Sequence, residues 1–110
     1  MVEYDLTNIL KAASDETRRS ILTTLVQQGP TPVTLLAKHF DMSLNAVSKH
    51  IKVLEKSQLV VRKTQGRVHL IEVDLAPLKA VEAWFTELKS IWDLRLDALT
   101  QLLTEDEDNE

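Results

Sequence analysis

Apolar side chains recur at every seventh residue along the last third of this chain, and this repeat constrains the fold more than any other feature of the sequence. Leu78, Phe85, Trp92 and Leu99 form one column, and two further columns run beside it. The pattern predicts one amphipathic helix of about 29 residues that ends near Leu103 and is roughly 40 Å long. A domain of this size has a radius of gyration of only about 13 Å, so one domain cannot cover the whole apolar face of such a helix.

A second copy of the chain would cover this face, and we therefore predict a homodimer. The first helix, which also carries apolar residues at helical spacing, is expected to contribute to the interface. The predicted interface residues are Leu6, Ile9, Leu10, Trp84, Leu88, Ile91, Trp92, Leu99 and Leu102. The alternative is that Trp84 and Trp92 are core residues of a monomer.

The composition fits one globular domain without cysteine chemistry. The chain has 110 residues, of which 44% are hydrophobic and 27% charged, and it contains no Cys. The absence of Cys excludes disulfides, thiolate metal sites and thiol nucleophiles. No apolar run approaches the roughly 18 residues of a membrane helix, and the N-terminal residues do not resemble a targeting signal. We therefore expect a cytoplasmic protein that makes no membrane contact.

Residues 1–30 show the apolar spacing of two short helices. Ser14 or Asp15 is expected to cap the second helix, and Gly29 is expected to end it by supplying a positive φ. Arg18 and Arg19 lie near the start of this second helix. They could contact phosphate or pair with nearby carboxylates, and the sequence leaves both alternatives open.

Two further helices follow, with a short turn between them. Thr31 is expected to cap the third helix, with Pro32 at its first position and an end near Phe40. Ser43 is expected to cap the fourth helix, over residues 43–57. The apolar residues on one side of this fourth helix predict its buried face, namely Val47, Ile51 and Leu54. Two short helices joined by a short turn indicate a helix-turn-helix unit.

Residues 59–73 predict a two-stranded hairpin, or wing. They are rich in β-branched side chains and surround Gly66, which supplies a positive φ at the turn. Asp74 is expected to cap the final helix, with Pro77 in its first turn. The fold class is therefore mainly α with a small β-hairpin: four helices, two strands and a long fifth helix, in the order of a winged helix-turn-helix.

One domain is placed at residues 1–103, and residues 104–110, with five carboxylates, are expected to form an acidic disordered tail. The formal net charge of the chain is −4, but it is unevenly distributed. Residues 41–70 carry six basic and two acidic side chains, whereas residues 71–110 carry three basic and eleven acidic ones. A basic region that coincides with the helix-turn-helix and the wing favours a nucleic-acid partner.

Four short segments, at residues 14–22, 42–54, 59–60 and 66–67, together resemble one known family, the ArsR transcriptional repressors. Residues 14–22, SDETRRSIL, are similar to the family's motif at the start of the second helix. Residues 42–54, MSLNAVSKHIKVL, resemble its recognition-helix signature, and the pairs at 59–60 and 66–67 resemble its wing. Gln58 stands where the family commonly has glycine, and a left-handed conformation there would cost about 1 kcal/mol.

The resemblance implies a homodimeric repressor that binds an inverted-repeat operator in double-stranded DNA. It implies that helix 43–57 enters the major groove and that wing 59–73 contacts the DNA backbone or the adjacent minor groove. Asn45 suits adenine, and Lys49 and Lys52 suit phosphate. The predicted DNA-contacting residues are Ser43, Leu44, Asn45, Ser48, Lys49, His50, Lys52, Arg62, Lys63, Gln65 and Arg67.

The two metal-sensing sites usual in this family are missing from the sequence. They need Cys near the third helix or His together with carboxylates on the last helix, and neither set is present. We interpret Asp93 and Asp97 as a solvated pair, because two carboxylates alone make a weak transition-metal site. The chain resembles the metal-independent members of the family, with no predicted metal or cofactor and no identifiable effector.

An enzyme is not expected. Ser48 and His50 point in different directions on a helix, and the chain has no glycine-rich phosphate loop. Two alternatives to a DNA-binding repressor stay open. One is a winged-helix protein-interaction module that acts through the acidic C-terminal helix, and the other is a metal-responsive repressor. The basic charge of residues 41–70 favours the DNA-binding repressor over the interaction module.

Overall fold

The computed structural model describes the backbone of residues 3–108 and the side chains of residues 3–105. Helices and strands follow one another in this part of the chain as α1 (Leu6–Ala13), α2 (Glu16–Gln28), β1 (Thr31–Pro32), α3 (Val33–Ala37), α4 (Leu44–Lys56), β2 (Val60–Gln65), β3 (Val68–Val73) and α5 (Leu78–Asp108). The architecture confirms the predicted fold class, a mainly α winged helix-turn-helix. The short strand β1 is not predicted by the sequence, so the wing strands are β2 and β3.

Polar caps define the ends of α2 and α4. The Asp15 carboxylate accepts a hydrogen bond from the N–H of Arg18 (3.0 Å), and the Ser43 hydroxyl accepts one from the N–H of Ala46 (3.1 Å). Each cap satisfies a backbone donor that has no partner inside the helix. Gly29 ends α2 with a φ of 78°. The predicted cap at Ser43 and the predicted stop at Gly29 are confirmed, and of the two candidates for α2 the cap is Asp15.

The prediction for Thr31 and Pro32 is wrong by one residue. Both lie in β1 and pair with β3, and α3 begins at Val33 with no side-chain cap. The Thr31 hydroxyl donates to a carbonyl two residues earlier (2.8 Å), so it is not aimed at the helix. The helix ends at Ala37 instead of near Phe40, because the following N–H groups bond to carbonyls three residues back and tighten the chain into turns.

A Schellman motif ends α4 and turns the chain into β2. The N–H of Leu59 donates to the carbonyl of Leu54 (3.1 Å), and the N–H of Gln58 donates to that of Glu55 (3.0 Å). Gln58 has a φ of 66° and therefore adopts the left-handed conformation that favours glycine at this position. Leu54 and Leu59, which flank the turn, are both buried.

The three strands form one antiparallel sheet in the order β1-β3-β2, and its inner face covers the core. The core contains residues from the first four helices, from the turn after α4 and from the sheet: Ile9, Ala12, Ile21, Leu25, Leu36, Val47, Ile51, Leu54, Leu59, Val60 and Ile71. The predicted buried face of α4 is confirmed. Ile9, expected at the dimer interface, is only 1% exposed and lies in the core of a single chain, because α1 turns it inward.

Helix α5 leaves the domain after Trp84. Leu78, Ala80 and Val81 pack against the core and Trp84 is half-buried, whereas every side chain of residues 85–105 is exposed. The helix has 31 residues and gives the described chain a longest dimension of 77 Å. No helix in the part of the chain that the structure describes is long and apolar enough to span a membrane.

Both ends of α5 differ from their predictions. The Asp74 carboxylate accepts from the N–H of Ala76 (3.0 Å) and so caps a turn before the helix, which begins at Leu78 after Pro77. The C-terminal end is at Asp108 instead of near Leu103. Of the segment expected to be disordered, residues 104–108 are therefore helical, and residues 109–110 lie outside the described residues.

Candidate nucleic-acid interface

One side of α4 faces solvent and carries amide and ammonium groups. Asn45, Lys49 and Lys52 are all exposed. At about 100° of rotation per residue they lie within about 60° of one another on the helix, opposite the buried side. Neither lysine takes part in an ion pair among residues 3–105. These three residues, called here the α4 polar face, present hydrogen-bond donors that no described protein group satisfies.

The remaining predicted residues of α4 lie around this face. Leu44 is exposed in the first turn, next to the capping Ser43, and Ser48 is half-buried at the edge. Lys56 is exposed one turn beyond Lys52. The N-terminal half of α4 therefore brings most of its predicted contact residues to one surface.

His50 is the exception among the predicted residues of α4. Its Nδ1 lies 3.3 Å from Nη1 of Arg18 and 3.9 Å from Oδ2 of Asp15, and its side chain is only 24% exposed. One residue after Lys49, it is rotated by about 100° toward α2. The structure therefore places His50 against the start of α2 and away from the α4 polar face.

Two arginines at the start of α2 bind the end of α1, a contact that is neither of the two alternatives, phosphate or a carboxylate, left open by the sequence. Arg18 donates from Nε to the carbonyl of Ala12 (2.8 Å) and from Nη2 to that of Lys11 (2.9 Å). Arg19 donates from Nη1 to the carbonyl of Ala13 (2.7 Å). The last carbonyls of a helix lack partners and lie at its negative end, which favours cations there. The short connection between α1 and α2 is a sequence signal for this contact, because it leaves only the first turn of α2 within reach of the last carbonyls of α1.

The carboxylate of Asp15 is held at the same junction. The hydrogen bond from the backbone N–H of Arg18 is the main cause that lowers the pKa of Asp15 below its ordinary value. Partial desolvation opposes this effect, and the charges of Arg18 and His50 add to the lowering. Asp15 therefore stays ionised at neutral pH and contributes a fixed negative charge beside His50.

The wing is tied to α4 by an ion pair. Arg62 on β2 donates to Oε1 of Glu55 from Nη2 (2.9 Å) and from Nε (3.3 Å), and both side chains are mostly covered. Nζ of Lys63 lies 2.6 Å from Oε2 of Glu72 across the hairpin. Arg62 is therefore occupied in holding the wing against the end of α4.

The tip of the wing is open to solvent. Gln65 pairs with Val68, and Gly66 (φ 62°) and Arg67 form the turn between them. Gln65 and Arg67 are exposed, whereas Lys63 is paired but still 61% exposed. The tip thus presents a guanidinium and an amide on the same hairpin that Arg62 fixes beside α4.

These surfaces suit DNA. The major groove is wide enough for one helix and displays base edges to its side chains, while phosphates line the groove on both sides. An exposed helix with an amide and two ammonium groups, next to a basic hairpin, offers donors to both. Among residues 3–105, no three side chains of His, Asp or Glu converge as a metal site would require.

Comparison with known proteins agrees with this geometry. A helix-turn-helix domain family matches residues 13–63. The HTH-type transcriptional regulator Rv2034 of Mycobacterium tuberculosis is 33% identical over 99 residues, which cover 90% of this chain and 89% of that protein. The transcriptional repressor SdpR of Bacillus subtilis is 32% identical over 62 residues, which cover 56% of this chain and 68% of the repressor.

A solved structure extends the match over the fold. The crystal structure of an ArsR family transcriptional regulator is 41% identical and superimposes with a TM-score of 0.76, over 84% of this chain and 97% of the other. These relatives are regulators of transcription and not enzymes. The chain shares their fold and the helix-turn-helix, and it therefore belongs to the ArsR family of winged helix-turn-helix, DNA-binding transcriptional regulators.

Proposed function

We propose that this protein is a homodimeric repressor that binds an inverted-repeat operator, with α4 in the major groove and the wing on the adjacent backbone or minor groove. The observation that carries this proposal is the α4 polar face, exposed and without ion pairs among the described residues, beside a wing held in place by Arg62. A helix and a hairpin in a fixed relation match the contacts of a winged helix on one DNA half-site.

The exposed part of α5 supports the homodimer. Ile91 is 58% and Trp92 62% exposed, and Leu88, Leu99 and Leu102 lie on the same side of the helix. An apolar surface of this extent, on a helix that its own domain does not cover, is typical of an interaction site. A second copy would cover it and would present two α4 helices related by a two-fold axis, so we expect half-sites about 10 bp, or a multiple of 10 bp, apart.

Repression is supported by a relative, since one of the matched proteins is a transcriptional repressor. A dimer seated on an operator blocks access of RNA polymerase to the same DNA. Within each half-site Asn45 would pair with the N6 and N7 edge of adenine, and Lys49 and Lys52 would contact phosphate. Gln65 and Arg67 would contact the backbone or the minor groove from the wing tip.

Selection of bound sequences from a random duplex pool tests this proposal. We expect an enriched palindrome, and binding to it should weaken steeply with salt. Lys49→Ala and Arg67→Ala are each expected to lower the slope of log affinity against log salt by about one, because each removes one phosphate contact. Lys79→Ala, which removes an exposed lysine at the start of α5, is the matched control and should leave the slope unchanged.

The outcomes separate the candidate functions. Weak DNA binding with no enriched sequence would overturn the proposal of a repressor. It would favour a protein-interaction module that acts through α5. If the palindrome is enriched only in the presence or only in the absence of a divalent transition metal, the protein is a metal-responsive repressor. We expect the selected palindrome and its affinity to be unaffected by such metals.

A further inference from the structure

The guanidinium of Arg18 joins three helices. From α2 it donates to the carbonyls of Lys11 and Ala12 at the end of α1, and its Nη1 lies 3.3 Å from Nδ1 of His50 in the middle of α4. The Arg18 backbone is itself anchored, since its N–H donates to the carboxylate of Asp15. Arg18 is half-buried, and its contacts lie on the far side of α4 from the α4 polar face.

The chemistry of this junction assigns a role to His50. A guanidinium has only donors, so Nδ1 of His50 must be the acceptor and the proton of the neutral ring lies on Nε2. The contact is therefore directional, and it is made by a planar group that also donates to α1 from Nε and from Nη2. Rotating or sliding α4 against α1 would break it.

The end of α1 is in turn connected to the proposed dimer interface, because α1 packs against α5 within the chain. We propose that Arg18 is a positioning residue that fixes the angle of α4 against α1 and α5 and thereby sets the distance between the two α4 helices of the dimer. This inference rests on the proposed homodimer. It predicts that Arg18 determines which half-site spacing the protein accepts, without contacting DNA.

The test measures affinity for the selected palindrome and for duplexes whose half-sites are one base pair closer or farther apart, a shift of about 3.4 Å per base pair. For Arg18→Met we expect about a tenfold loss of affinity at the preferred spacing, comparable to the loss of one hydrogen bond to a charged group. We also expect the preference among the three spacings to flatten. The salt slope should stay that of the wild type, because no phosphate contact is lost.

Arg19→Met is the matched control. It removes a guanidinium that also binds a carbonyl at the end of α1, but Arg19 has no hydrogen bond to α4 among the described residues. We expect it to lower thermal stability without changing the spacing preference. If Arg18→Met does not fold, His50→Leu removes the acceptor on α4 together with the 3.9 Å contact to Asp15. It leaves the bonds from Arg18 to α1 in place, and it is expected to flatten the preference in the same way.

Three results would overturn the inference. An unchanged spacing preference in Arg18→Met or His50→Leu would show that Arg18 only caps the end of α1 and does not position α4. A salt slope lowered by about one, with the preference retained, would make Arg18 a phosphate contact. A wild-type protein that binds as a monomer or ignores spacing would refute the proposed homodimer itself, and that failure is recognised from the wild type alone.

Discussion

Gln58 holds a backbone conformation that an L-residue adopts at a cost, and replacing it by glycine should stabilise the protein. With a φ of 66° it occupies the left-handed position of the Schellman motif that ends α4. Its side chain is exposed, so the substitution removes no buried contact. The two hydrogen bonds of the motif are made by backbone groups and are retained in Gln58→Gly.

The expected gain follows from two opposing effects. A left-handed conformation costs a non-glycine residue roughly 1–2 kcal/mol. Glycine gives the unfolded chain more freedom than glutamine does, which lowers stability by about 0.4–1 kcal/mol. We therefore expect Gln58→Gly to raise the free energy of unfolding by about 0.5–1 kcal/mol.

Urea unfolding at one fixed protein concentration measures this gain, since the stability of a dimer depends on concentration. Gln27→Gly is the matched control: the same exchange at an exposed position inside α2 should lower the free energy of unfolding by about 0.5–1 kcal/mol. Opposite signs for the two variants are the expected result. Equal losses at both positions would refute the idea that backbone strain is stored at Gln58.

Three further predictions concern other parts of the molecule. Trp92→Glu places a charge on the apolar side of α5 and should shift the protein toward monomer in sedimentation equilibrium. Its far-UV circular dichroism per residue should be retained, and an unchanged dimer would contradict the proposed interface. Glu55→Gln weakens the ion pair with Arg62 and should lower the free energy of unfolding by about 0.5–1 kcal/mol in urea titration, whereas no change would show that the wing does not depend on this pair. Because the pKa of Asp15 is lowered, its charge stabilises the fold at neutral pH and this stabilisation is lost as the pH falls below about 4. Asp15→Asn, which keeps a capping oxygen, should therefore be less stable than the wild type at pH 7 and approach it in urea titrations at pH 3; a difference that does not vary with pH would refute the effect.

Several features of this protein follow from the sequence by itself. The seven-residue repeat predicts α5, the cap at Ser43 predicts the start of α4, and Gly66 between β-branched residues predicts the wing. All three signals are local, because a helix period, a cap or a turn depends on residues within a few positions of one another. The side of α4 that carries Asn45 and Lys49 is predictable for the same reason, since helical periodicity alone separates it from the buried side.

The tertiary structure decided the rest. The local sequence predicts that Thr31 caps a helix, but its pairing with β3 places it in a strand. Periodicity makes Ile9 equally suitable for a core or an interface, and the packing of one chain buries it. His50 lies within the recognition-helix signature, yet it faces Arg18, a residue 32 positions away in the sequence. What a polar or apolar side chain meets depends on which distant elements pack beside it, and those contacts exist only once the helices and the sheet have assembled.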